Sequence, residues 1–127
     1  MGRVVHFEFP VDDPERAIEF YQKVFGWRVT VYEGPVDYWL ISTGTEGEPG
    51  IDGALGRRSE HLPTEVNTVQ VDDVDAALQR IEAAGGSALT PKVTIPGVGF
   101  MAYCLDTEGT RFGIMQSDPD AQPTGPA

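Results

Sequence analysis

The feature that most constrains the fold of this chain is an internal repeat. Val11-Asp12-Asp13 recurs as Val71-Asp72-Asp73, an offset of 60 residues, and at the same offset Tyr21 corresponds to Ile81. Each copy has the pattern of a strand, an acidic turn and an amphipathic helix, followed by three strand-like segments. The sequence therefore predicts two tandem βαβββ modules, which is an α+β architecture.

Both predicted helices carry start and stop signals. Asp13 and Asp73 are suitable N-caps, because an Asp side chain there accepts hydrogen bonds from the first free N–H groups of a helix. Pro14 suits the first helical position of the first copy, and Gly26 can end that helix. The apolar residues of both segments recur at helical spacing, so each predicted helix has one apolar stripe.

Neither copy could cover its sheet alone, so we expect one domain over residues 1–118. The two modules would span about 3–58 and 65–117, joined by a polar segment that contains a proline. Residues 119–127 show no periodicity and predict a disordered tail.

The composition excludes some classes of function. Nine Lys and Arg against twenty Asp and Glu give a net charge of −11, whereas proteins that bind nucleic acid need a basic surface. The N-terminus has no signal-peptide pattern, and no apolar run is long enough to cross a membrane. The single cysteine is typical of a reducing compartment. We expect a cytoplasmic protein without nucleic-acid or membrane partners.

The first strand, "VVHFEFPV", places two polar side chains among apolar ones. His6 and Glu8 are two residues apart, so in an extended chain they share one face, while Phe7 and Phe9 share the other. This face could be half of a metal site, an acid/base pair or the polar part of a binding cleft.

Three segments together resemble the vicinal oxygen chelate superfamily. They are "HFEFPVDDPERAIEFYQKVFGW", "GIDGAL" and "DTEGTRFGIMQ", and the likeness runs from Val4 to Gln116. Members of this superfamily include glyoxalase I, extradiol dioxygenases, methylmalonyl-CoA epimerases and bleomycin-resistance proteins. The resemblance implies that both modules form one curved mixed β-sheet cleft, with the helices on its outer face, and that the protein is a homodimer.

The resemblance also implies where metal ligands would lie, on the first and last strands of each module. His6 matches the first position, but the equivalent position of the second copy holds Val66. The last-strand positions fall on Gly113 and Gly53, with Asp52 adjacent to Gly53. A catalytic divalent metal needs about three protein ligands. We therefore expect no cofactor and no family-type metal; if a metal were bound, its ligands would be His6, Glu8 and Asp52.

Further candidate residues lie on strands that correspond between the copies. An offset of 62 equates Trp39 with Met101 and Ile41 with Tyr103, although the pattern does not decide which set faces the cleft. Glycine within a strand often marks the close approach of a ligand or of another backbone. The predicted ligand-binding set is listed here: His6, Glu8, Trp39, Asp52, Gly53, Met101, Tyr103 and Gly113.

Two functions are compatible with these residues. The first is a small-molecule binding protein of the bleomycin-resistance type, whose ligand is amphipathic and either neutral or cationic. The second is a lyase, isomerase or dioxygenase-like enzyme that uses His6 and Glu8 as acid and base or as metal ligands. The missing metal ligands favour the first, and the His6–Glu8 pair supports the second.

Overall fold

The computed structural model describes residues 2–122 and confirms the α+β prediction of two tandem modules. The elements of the first module are β1 (Val4–Val11), α1 (Pro14–Phe25), β2 (Arg28–Val31), β3 (Tyr38–Ser42) and β4 (Asp52–Arg57). Those of the second are β5 (Val66–Gln70), α2 (Val74–Ala83), β6 (Ser87–Ala88), β7 (Val93–Ile95), β8 (Gly99–Leu105) and β9 (Arg111–Ser117). The short strand β7 is an addition to the predicted pattern.

The first module is a four-stranded sheet covered on one face by α1. Its strand order is β2-β3-β4-β1, with β1 parallel to β4 and the other pairs antiparallel. As predicted, Asp13 caps α1 and accepts a hydrogen bond from the Arg16 N–H at 3.2 Å. Gly26 ends the helix with φ 71°, in the left-handed region that favours glycine.

The core of the first module lies between α1 and the sheet. Its buried members are Val11, Ile41 and Leu55. Aromatic rings complete this core, since Tyr21 of α1 stacks on Trp27 with 5.0 Å between ring centroids. Because α1 itself has no fully buried residue, most of the helix contact is made by large, half-buried side chains.

The second module repeats this arrangement with the strand order β5-β9-β8-β6, and β7 pairs with β8. Asp73 caps α2 and accepts a hydrogen bond from the Ala76 N–H at 3.1 Å. The core between α2 and the sheet contains Val74, Ala77, Ala102, Cys104 and Ile114.

Chain contacts divide the described residues into a unit over 5–66 and a unit over 67–122 that also includes residues 2–4. The Gln70 N–H donates to the Arg3 carbonyl oxygen at 2.8 Å within the second of these units. The predicted disordered tail needs a correction at its beginning. Ala121 is buried, and its carbonyl oxygen accepts a hydrogen bond from the Gly97 N–H at 3.1 Å. Residues 123–127 of that tail lie outside the described residues.

The two helices have 12 and 10 residues. Within residues 2–122, no helix has both the length and the apolar character needed to span a bilayer.

Candidate functional site

The sheet of the first module has a core face and a polar face. Phe7 and Phe9 pack in the core beneath α1, as the alternation along β1 predicts, so His6 and Glu8 lie on the opposite side. Paired residues of neighbouring strands point to the same side of a sheet, and His6 pairs with Asp52 and Glu8 with Ala54. We call this surface the His6 face, and it includes His6, Glu8, Pro10, Arg28, Thr30, Tyr38, Leu40, Ser42, Asp52, Ala54 and Gly56.

A hydrogen bond between His6 and Tyr38 is the central polar contact of the His6 face. The His6 Nε2 and the Tyr38 hydroxyl are 3.0 Å apart. Burial lowers the pKa of His6, and the nearby Asp52 carboxylate opposes this shift. The imidazole is therefore biased toward its neutral form.

Two carboxylates flank this pair. Glu8 is only 5% exposed, so little of its side chain reaches solvent. Asp52 is exposed, and its Oδ1 accepts hydrogen bonds from the backbone N–H of Thr43 at 2.9 Å and from the Thr43 hydroxyl at 3.3 Å. These bonds tie Asp52 to the loop that connects β3 and β4.

A cavity of about 600 Å³ adjoins Asp52, between that loop and the ends of β2 and β3. Its volume is in the range of sites that hold small organic ligands. The cavity is lined by Arg28, Ser42, Asp52 and the loop residues Thr43, Gly44, Thr45, Glu46, Gly47, Glu48, Pro49 and Gly50. Three carboxylates and one guanidinium in this wall give the cavity a net negative charge.

Two of the predicted site residues lie on the wrong side of the sheet. Trp39 packs in the core with Leu55, its cross-strand partner, and not on the His6 face. Gly53 also faces the core, where a Cβ atom would lie 2.5 Å from the Phe7 carbonyl oxygen. The glycine therefore permits close packing against Phe7 and does not widen a ligand cleft. Asp52 reaches the His6 face without any change of strand register.

The remaining predicted residues lie together in the second module. Phe100, Ala102 and Cys104 pack toward α2, so Met101 and Tyr103 occupy the opposite face of β8. Tyr103 pairs with Gly113, which in turn pairs with Thr68 of β5. Thr68 is 4% exposed, and sequence reasoning missed this buried hydroxyl.

The described residues do not fit the divalent metal that the fold family implies. His6 directs Nε2 to Tyr38, and Asp52 directs one oxygen to Thr43. His61 is largely exposed in the segment that joins the modules. Among residues 2–122, no three His, Cys, Asp or Glu side chains converge closely enough to hold a metal ion.

With this geometry established, comparison with known proteins decides the family. The sequence profile of the Glyoxalase/Bleomycin resistance protein/Dioxygenase superfamily matches residues 3–114. The chain belongs to this superfamily. The resemblance seen in the sequence is thereby confirmed, and with it the expectation of the vicinal oxygen chelate fold.

Relatives of the chain include proteins whose names indicate different roles. The chain is 29% identical over 121 residues to CFP32 of Mycobacterium bovis, a protein named for a glyoxylase. This alignment covers 93% of the chain but only 45% of CFP32. It is 26% identical over 129 residues to the anthracycline biosynthesis protein DnrV of Streptomyces peucetius, covering 89% of this chain and 46% of DnrV. The chain thus spans about half the length of these two relatives.

A solved structure shows the same fold. Methylmalonyl-CoA epimerase from Mycobacterium tuberculosis aligns with a TM-score of 0.67 at 17% identity, over 91% of this chain and 88% of the epimerase. At this identity the likeness concerns the fold alone.

Proposed function

We propose that this protein binds an amphipathic small molecule, neutral or cationic, on the His6 face without a family-type metal. The observation that carries the proposal is the juxtaposition of the His6 face with the 600 Å³ cavity through Asp52, which belongs to both. The superfamily supports a small-molecule ligand, and the name of DnrV supports an aromatic one.

The side chains of the His6 face suit an amphipathic ligand that is neutral or cationic. Tyr38 and Leu40 offer flat and apolar contact, and His6 offers a hydrogen bond. The carboxylates of Glu8 and Asp52 favour a positive charge on the ligand, and the net charge of −11 adds a negative field around the whole protein. A polyanionic compound such as a phosphate ester would be repelled. We also propose that the protein is cytoplasmic and forms a homodimer, as the sequence predicts.

The proposal is tested by a thermal-shift screen with matched aromatic compounds that carry an ammonium group, no charge or a carboxylate. We expect the ammonium and neutral compounds to stabilise the protein and the carboxylates to have no effect. Glu8→Gln keeps the side-chain shape but removes a charge, so it should weaken binding of the ammonium compounds about tenfold and leave the neutral ones nearly unchanged.

Glu65→Gln is the matched control for this screen. Glu65 is exposed in the segment between the modules, and its replacement changes the net charge by the same amount. Added salt should weaken binding of the ammonium compounds only, since the screening length falls to about 10 Å at 0.1 M. Preferential binding of carboxylates, or equal effects of the two substitutions, would contradict the proposal.

The proposal that no family-type metal is bound has its own test. We expect protein purified without chelator to contain far less than one Zn, Ni, Fe or Mn ion per chain by elemental analysis, because fewer than three ligands converge among residues 2–122. About one metal ion per chain, lost on the change His6→Ala, would show that His6 is a ligand and would favour the enzymatic function.

A further inference from the structure

The His6–Tyr38 hydrogen bond crosses over β4, the strand that lies between the strands of the two residues. His6 is on β1 and Tyr38 on β3, and both strands flank β4. The His6 face of β4 carries only small residues beneath this bond, Ala54 and Gly56, and both are buried. At Gly56 a Cβ atom would lie 2.9 Å from Leu62 and 3.7 Å from the Tyr38 ring. The small residues therefore leave room for the imidazole and the phenol to meet above the strand.

The bond engages one of the two imidazole nitrogens. Nε2 faces the Tyr38 hydroxyl, whereas Nδ1 has no hydrogen-bond partner among residues 2–122. Every buried side-chain nitrogen or oxygen in that part of the chain has a partner, so Nδ1 is accessible from outside the protein. Nδ1 is consequently the ring atom that His6 can offer to a ligand.

We propose that Tyr38 is a positioning residue, which donates its hydroxyl hydrogen to the His6 Nε2 and holds the imidazole as the Nδ1–H tautomer. A neutral imidazole has one donor and one acceptor nitrogen, and the bond made by one nitrogen fixes the role of the other. Two groups lie beside the ring: the Tyr38 phenol from β3 and the Asp52 carboxylate from β4. The Asp52 carboxylate favours a ring N–H directed toward it.

This tautomer gives His6 a defined role in recognition. An Nδ1–H donates, so the group of the ligand that meets His6 must be an acceptor, such as a ketone or quinone carbonyl oxygen. The consequence for the ligand rests on the proposed function. The tautomer itself is a property of the free protein and can be measured without any ligand.

Long-range ¹H–¹⁵N NMR correlations of histidine rings in the free protein test the inference. The chain has two histidines, His6 and His61, and the variant His61→Gln assigns their signals. Above pH 7 we expect His6 to show the Nδ1–H pattern. In Tyr38→Phe the pattern should change to a mixture dominated by Nε2–H, as in free imidazole side chains, because only the hydroxyl is lost.

Tyr32→Phe is the control, since the Tyr32 ring lies edge-on to Tyr38 with 5.8 Å between centroids but makes no hydrogen bond to His6. It should leave the His6 signals unchanged. An Nε2–H pattern in the wild-type protein, or an unchanged pattern in Tyr38→Phe with a native amide spectrum, would overturn the inference. If Tyr38→Phe did not fold, the wild-type pattern would still decide the tautomer.

A second readout separates this inference from the proposed function. A neutral aromatic ketone that shifts the melting temperature of the wild-type protein should bind about five- to tenfold more weakly to Tyr38→Phe, while the same ring system without the carbonyl should bind both proteins equally. Equal binding of the ketone to both proteins would contradict a role for Tyr38 in recognition. If no neutral or cationic aromatic compound bound the wild-type protein, the proposed function would fail, and the NMR result would stand by itself.

Discussion

Replacing Leu55 with alanine is expected to lower the free energy of unfolding by about 2–5 kcal/mol, whereas Leu40→Ala should lower it by less than about 1 kcal/mol. Leu55 is fully buried in the core beneath α1, so truncation removes packed atoms and leaves a cavity. Leu40 lies on the neighbouring strand, on the His6 face, and is 40% exposed. Urea unfolding of both variants at one protein concentration measures the difference.

The pair of leucines tests the assignment of the two faces of the sheet. Leu55 pairs with Trp39 across the strands, and Leu40 pairs with Ala54. Equal losses of stability for the two variants would contradict the assignment. Trp39 would then belong to the ligand side, which is one of the two orientations that the sequence pattern leaves open.

The helices and their limits could be predicted because their signals are local. An Asp at the N-cap, a proline in the first turn and a glycine after the last turn act within a few residues of the chain. The two faces of β1 could also be predicted from the sequence. Phe7 and Phe9 alternate with His6 and Glu8, and this alternation needs no knowledge of other strands.

The later strands were misread because the repeat is not in register throughout. Glu8 pairs with Ala54 in the first module, and its equivalent at an offset of 60, Thr68, pairs with Gly113 in the second. The true equivalent of Gly113 is therefore Ala54, at an offset of 59. A slip of one residue moves a side chain to the other face of a sheet. This slip of one residue in the repeat explains why the sequence pattern places Gly53 on the ligand side.

The same slip explains the error at Trp39. Tyr38 pairs with Gly56, and Met101 pairs with Met115, which is the equivalent of Gly56 at the offset of 59. Met101 therefore corresponds to Tyr38 and not to Trp39. The bond from Tyr38 to His6 could not be predicted, since it joins residues 32 apart and depends on two small residues of an intervening strand.

Gly53→Ala is expected to lower the free energy of unfolding by about 1–3 kcal/mol, although alanine suits a strand better than glycine. The added Cβ would lie 2.5 Å from both the ring and the carbonyl oxygen of Phe7. A backbone carbonyl in a parallel ladder cannot move without breaking the pairing of β1 with β4. The gain from a less flexible unfolded chain is at most about 1 kcal/mol and does not offset this clash.

Gly113→Ala provides the comparison, because the repeat appeared to make the two glycines equivalent. At Gly113 the nearest atom to an added Cβ is the Thr68 hydroxyl oxygen at 2.8 Å, which belongs to a side chain that can rotate. We expect this variant to change the free energy of unfolding by no more than about 1 kcal/mol. A Gly53→Ala variant as stable as the wild-type protein would place residue 53 in open space. The strand would then have the register that the repeat suggested, with Gly53 paired with Glu8 on the His6 face and Asp52 on the core face.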